Sequence, residues 1–81
     1  SVKRFVLNTL RESGEPMTSR KITELWAEER GLSADEATLN QLRKRIGACI
    51  KSCVNQGLIA DQGWTKDHDT NGPYKLWKLS V

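Results

Sequence analysis

The sequence LSADEATLNQLRKRIGACIKSCVNQG, residues 32 to 57, carries a long pattern of apolar residues that step by three and four positions. This spacing places them on one face of an α-helix, and they are Leu39, Leu42, Ile46, Cys49, Ile50 and Cys53. Gly57 follows the last of them and predicts where the helix ends, while Ser33 with Glu36 three residues on has the form of a capping box. We therefore predict a helix over about residues 34 to 56.

The opposite face of this predicted helix is polar. At ~100° per residue its members are Asn40, Gln41, Lys44, Ala48, Lys51 and Asn55, with Arg43 and Arg45 at the flanks. Residues 37 to 56 include no carboxylate, although the chain has 10 acidic residues, and we interpret Asp35 and Glu36 as members of the capping turn. Because a helix that enters the groove of a polyanion gains from cations and loses from carboxylates, this face favours a polyanionic partner. The alternative interpretation is an ordinary solvated face.

Two shorter helices precede the long one. They are predicted over about residues 2 to 13 and 19 to 30, and Gly14 and Gly31 end them. Their apolar positions are Phe5, Val6, Leu7 and Leu10 in the first helix and Ile22, Leu25 and Trp26 in the second. Residues 15 to 17 form a short extended link, since the residue before a proline is displaced from helical geometry. Thr18 or Ser19 then supplies the N-cap of the second helix.

The C-terminal part of the chain has the pattern of a β-hairpin over about residues 58 to 79. Two runs rich in apolar and aromatic residues flank a polar loop that contains glycine, asparagine and proline. Trp64 and Trp77 fall on opposite runs and are predicted to pack as a cross-strand pair. The alternative for either side chain is an exposed aromatic ring that stacks on a base or on a partner protein.

The length and composition of the chain limit the functions that it can have. With 81 residues, 37% of them hydrophobic, we expect one domain and one small core. The thiols of Cys49 and Cys53, four residues apart on a helix, are expected to be free and buried, and with the single histidine His68 they do not form a zinc site. We find no catalytic motif and predict neither an enzyme nor a cofactor or metal. The chain also has no apolar run long enough to cross a membrane, and we expect a soluble cytoplasmic protein.

Three segments of the chain resemble the winged helix-turn-helix family. MTSRKITELW at residues 17 to 26 is similar to the entry into that family's second helix. NQGLIADQGW at residues 55 to 64 resembles the passage from the third helix to the first wing strand, and YKLWKL at 74 to 79 resembles the returning strand. More narrowly, the chain is similar to small bacterial winged-helix proteins of unassigned role. The resemblance implies a mainly α fold of three helices with a two- or three-stranded antiparallel wing.

In that family the third helix lies in the major groove of double-stranded DNA, and the wing touches the flanking backbone or minor groove. Carried over by position, the candidate DNA contacts are Asn40, Gln41, Arg43, Lys44, Arg45 and Lys51 in the third helix, Ser19, Arg20 and Lys21 at the start of the second, and Lys66, His68 and Lys75 in the wing. The implied role is a transcriptional regulator or another DNA-transaction module. The alternative is a protein-interaction module that presents the acidic face of Glu24, Glu28 and Glu29, and a homodimer is compatible with both.

Overall fold

The computed structural model describes residues 1 to 32, 35 to 66 and 73 to 80. Its helices and strands, in chain order, are α1 (Val2–Ser13), β1 (Met17–Thr18), α2 (Ser19–Glu29), α3 (Glu36–Asn55), β2 (Ile59–Lys66) and β3 (Pro73–Leu79). The predicted fold class is confirmed: the molecule is mainly helical with a small antiparallel sheet of three strands, compatible with a winged-helix layout. The helices begin and end within two residues of the predicted positions.

The core lies where α3 packs against α1, α2 and the start of β2. Most of the predicted apolar positions pack in the core or against it, but Leu25 of α2 does not: it is half-buried, and Ala27, which was not predicted, is buried. The buried members of the core are Val6, Leu10, Ile22, Trp26, Ala27, Leu42, Ile46, Ile50, Cys53 and Ile59. Ile46 and Ile50, each 1% exposed, are at its centre. Each such side chain stabilises the fold by roughly 1.5 to 3 kcal/mol through removal of apolar surface from water.

The helix N-termini are capped by side chains. The Thr18 hydroxyl accepts a hydrogen bond from the Lys21 backbone N–H at 3.1 Å, which decides between the two predicted caps of α2. The predicted N-cap of α3, Ser33, was wrong: the N-cap is Asp35, whose carboxylate accepts a hydrogen bond from the Thr38 N–H at 2.8 Å. A carboxylate at this position also interacts favourably with the helix dipole. Ser33, the predicted cap, lies outside the described residues.

The link between α1 and α2 contributes a strand. Met17 was predicted as part of an extended link and Thr18 only as a possible helix cap, and the two residues pair with Trp77 and Leu76 of β3 in antiparallel register. The sheet order is therefore β1-β3-β2, with β3 in the centre. Because β1 leads directly into α2, this pairing ties the start of α2 to the sheet.

A β-bulge interrupts the pairing of β2 with β3. Asp61 lies opposite Trp77 and Gly63 lies opposite Leu76. Three residues of β2, from Asp61 to Gly63, therefore face two residues of β3. Gly63 has a φ of +96°, in the left-handed region that L side chains rarely adopt. Its N–H donates to Asp61 Oδ1 at 2.8 Å. The extra residue places Asp61 and Trp64 on the same face of the strand, although an odd spacing separates them.

The two cysteines are free, as predicted, but the prediction that both are buried was wrong for Cys49. Cys53 is buried and Cys49 is half-buried one helical turn before it. Burial, together with the neighbouring Cys53 thiol, raises the pKa of Cys49, and the effect of Lys3, which lowers it, is smaller. Cys49 is therefore a neutral thiol at physiological pH.

Two glycine substitutions should change stability in opposite directions. Gly63→Ala is expected to destabilise the fold by about 1 kcal/mol or more, because alanine is strained at this φ although nothing lies within 4 Å of its Cβ. Gly47→Ala, in mid-helix with equally open space, should stabilise it by about 0.5 to 1 kcal/mol. Urea unfolding of both variants measures the difference. A Gly63→Ala protein as stable as the wild type would contradict the strain.

Candidate nucleic-acid interface

The polar face of α3 is open to solvent over its whole length. Every predicted contact residue of this helix is exposed: Asn40, Gln41, Arg43, Lys44, Arg45 and Lys51. Ala48 is exposed among them, and its short side chain leaves a shallow depression in the middle of the face. The 20 residues of α3 give it a length of about 30 Å. The structure therefore leaves a long helix surface uncovered, with no carboxylate in the helix after Glu36.

A groove of about 430 Å³ lies between the N-terminal halves of α2 and α3. Its lining residues are Arg20, Thr23, Glu24, Glu36, Leu39, Asn40 and Arg43. Thr23 is buried, and its hydroxyl donates to the Ser19 carbonyl oxygen at 2.7 Å, so the wall of α2 is held in place. Three candidate residues from two separate helices, Arg20, Asn40 and Arg43, thus meet at one groove.

Two carboxylates line the same groove. Glu24 of α2 and Glu36 in the first turn of α3 lie with the two arginines, so the positive potential there is weakened. Lys44 and Lys51 lie further along α3, where no acidic residue occurs within the helix. The cationic centre of the surface is consequently the middle of α3 and not its start.

The start of α2 offers fewer hydrogen-bond donors for a phosphate than the sequence predicts. Arg20 and Lys21 are exposed and Ser19 is half-buried. The backbone N–H of Lys21 already donates to the Thr18 cap, so Lys21 contributes only its ammonium group. The Ser19 and Arg20 N–H groups lie at the positive end of the helix dipole, where an anion is favoured.

The wing carries a cluster of four side chains, which we call the wing cluster: Asp61, Trp64, Lys75 and Trp77. The Lys75 ammonium lies 3.1 Å from Asp61 Oδ2, 4.9 Å from the centre of the Trp64 ring and 5.6 Å from that of Trp77. The predicted direct pair of tryptophans was wrong, because Trp64 lies opposite Lys75 and Trp77 opposite Asp61. Trp77 packs against the core, whereas Trp64 is 66% exposed, which agrees with the alternative of an exposed ring.

The electrostatics of the wing cluster favour an ionised Asp61. The Gly63 N–H, followed by the Lys75 ammonium, holds the pKa of the Asp61 carboxyl below its usual value of 3.8. Lys75, predicted as a DNA contact, is therefore engaged by a carboxylate and two aromatic rings within its own hairpin. Lys66 ends β2 opposite Pro73, and His68 lies outside the described residues.

Sequence reasoning missed the role of Asp61. Asp61 and Trp64 are three positions apart, and in a regular strand they would face opposite sides of the sheet. The available signal was Gly63, because an isolated glycine within a strand pattern indicates a bulge.

The predicted acidic face of α2 divides between two surfaces. Glu24 lines the groove between α2 and α3, whereas Glu28 and Glu29 line a second groove between α1 and α2.

Within the described residues, no group of three or more histidine, cysteine, aspartate or glutamate side chains could hold a metal ion. None of the described helices has the length and apolar character to cross a membrane. Comparisons of the chain with family models, curated proteins and solved structures find no match.

The stability of the wing should depend on pH through Asp61. Because its pKa is lower in the folded state, ionised Asp61 stabilises the fold above pH 3.8, and this contribution is lost as the pH falls through the folded value. We expect Asp61→Asn to lower the free energy of unfolding at pH 7, with a difference from the wild type that shrinks below pH 3.8. Urea titrations at several pH values measure this. A difference that is constant with pH would contradict the assignment.

Proposed function

We propose that the protein binds double-stranded DNA, with α3 in the major groove and the wing hairpin along the flanking backbone. The observation that carries the proposal is the uncovered face of α3, where six exposed polar or cationic side chains occur and no carboxylate follows Glu36. The major groove of B-DNA is about 12 Å wide and accepts one α-helix. A module of this kind serves transcription regulation or another DNA transaction.

Different parts of this surface would contact different parts of the duplex. Lys44 and Lys51 on the middle of α3 would contact phosphates, and Arg43 or Arg45 would contact phosphate or a guanine edge. Asn40 and Gln41 have the amide groups that bind adenine. Ser19 and Arg20 at the start of α2 would hold a phosphate through backbone N–H groups and side chains, with Lys21 adding its charge.

The wing would contribute less by charge than its lysines imply. Lys75 is engaged by Asp61, so the most accessible described side chain of the wing cluster is the Trp64 ring. An exposed indole beside the duplex would make an apolar contact with sugar or groove edge. Its fluorescence is consequently a natural reporter of the wing.

Charge reversal on α3 should abolish binding, whereas the same reversal elsewhere should not. We expect Lys44→Glu with Lys51→Glu to remove duplex binding at low salt, because each substitution replaces a phosphate contact by a repulsive charge. The matched control is Arg11→Glu with Lys78→Glu, in a hollow lined by α1, the α1–β1 link and β3. Fluorescence anisotropy with a labelled duplex at two salt concentrations measures both, with circular dichroism as a check of folding. Equal losses in the two double variants, or no binding by the wild type, would refute the proposal.

Removal of the carboxylates beside the two arginines should strengthen binding. We expect Glu24→Gln with Glu36→Gln to lower the Kd for duplex DNA roughly two- to tenfold at low salt, because repulsion of phosphate from the α2/α3 groove is removed. Glu12→Gln with Glu29→Gln makes the same change in net charge at the other groove and serves as the control. A gain in the control as large as in the test variant would mean that net charge, and not the α2/α3 groove, sets affinity.

A further inference from the structure

A second groove lies between α1 and α2. It encloses about 600 Å³ and is lined by Phe5, Thr9, Glu12, Ser13, Met17, Leu25, Glu28 and Glu29. It shares no lining residue with the groove between α2 and α3, so α2 separates the two surfaces. DNA on the face of α3 would leave this second groove open.

The floor of the second groove is apolar and packs against the core. Phe5, Met17 and Leu25 are all half-buried and reach the groove from α1, β1 and α2. The Phe5 ring packs edge-on against the buried Trp26 ring with 4.9 Å between ring centres. Phe5 and Met17 also pack against the core.

The rim of the second groove is acidic. Glu12 on α1 and Glu28 and Glu29 on α2 are exposed, and none of the described residues that line the groove is basic. This is notable in a chain whose formal net charge is +3. An apolar floor between carboxylates is complementary to a partner that presents apolar side chains flanked by lysine or arginine.

We propose that the α1/α2 groove is a docking site for a basic amphipathic helix of a partner protein. The α1 wall from Phe5 to Glu12 is about 12 Å long, which is two turns of helix and accepts two apolar side chains in succession. The partner's cations would lie beside Glu12, Glu28 and Glu29. An acidic segment is disfavoured by repulsion from the same three carboxylates.

The site is tested with a defined peptide. The probe is a fluorescein-labelled peptide of about 14 residues, with leucines at positions spaced by three and four and lysines elsewhere, and the control peptide has glutamate in place of every lysine. We expect micromolar binding of the basic peptide alone by anisotropy. Amide shifts in the labelled protein should concentrate at residues 5 to 13 and 25 to 29. Shifts centred on α3, or equal binding of the acidic peptide, would overturn the proposal.

Matched protein variants separate the groove from net charge. Glu29→Lys on the rim should weaken binding of the basic peptide at least fivefold, and Leu25→Ser on the floor should do the same. Glu24→Lys, on the same helix but in the other groove, makes the same charge change as Glu29→Lys and should stay within twofold of the wild type. Equal loss in Glu24→Lys and Glu29→Lys overturns the site.

Two further measurements make the result specific. Sedimentation of the protein alone tests whether a second copy of the chain occupies the groove. A dimer in the wild type that dissociates in the Glu29→Lys variant would overturn the proposal of a separate basic partner. Duplex binding is measured on the same variants, and Glu29→Lys should bind DNA at least as tightly as the wild type because it adds positive charge away from α3. The docking site and the DNA surface can therefore fail independently.

Discussion

The burial of the apolar face of α3 is the interaction on which the rest of the molecule depends. Ile46 and Ile50 are almost completely buried, and α3 contacts α1, α2 and β2. No second sheet or helix layer covers its other side in the described residues. Because one face of the helix holds the core together, the opposite face is fixed in position without being used for packing. The consequence is an exposed row of polar and cationic side chains on a helix that the core holds in position.

The sheet also connects elements that are distant in sequence. β3 pairs with the short β1 and with β2, and this pairing links the start of α2 to the wing. The bulge at Gly63 then brings Asp61 and Trp64 to one face, where Lys75 contacts both. An ammonium that interacts with a carboxylate and two rings is less available to a phosphate than a free lysine. In the part of the wing that the structure describes, the Trp64 ring is therefore more accessible than the Lys75 ammonium.

Charge is segregated over the three helices. The face of α3 is cationic in its middle, the groove between α2 and α3 has both signs, and the groove between α1 and α2 has an acidic rim. A single helix, α2, separates the last two and supplies glutamates to both. The two grooves differ in polarity and share no lining residue, so occupation of one would leave the other open.

The helices, their apolar faces and the polar face of α3 could be predicted from the residues alone, because helical periodicity and glycine stops are local properties. Local rules erred where two local signals competed, as at the N-cap of α3, where Asp35 and not Ser33 caps the helix. Tertiary structure decided the rest. The strand at Met17–Thr18 exists only because β3 lies beside it, and the partners of Lys75 depend on a one-residue shift in register. The division of the acidic residues of α2 between two grooves depends on which helix packs on each side. Spacing along one element determines which side chains share a face, but only the packing of elements distant in sequence determines what that face meets.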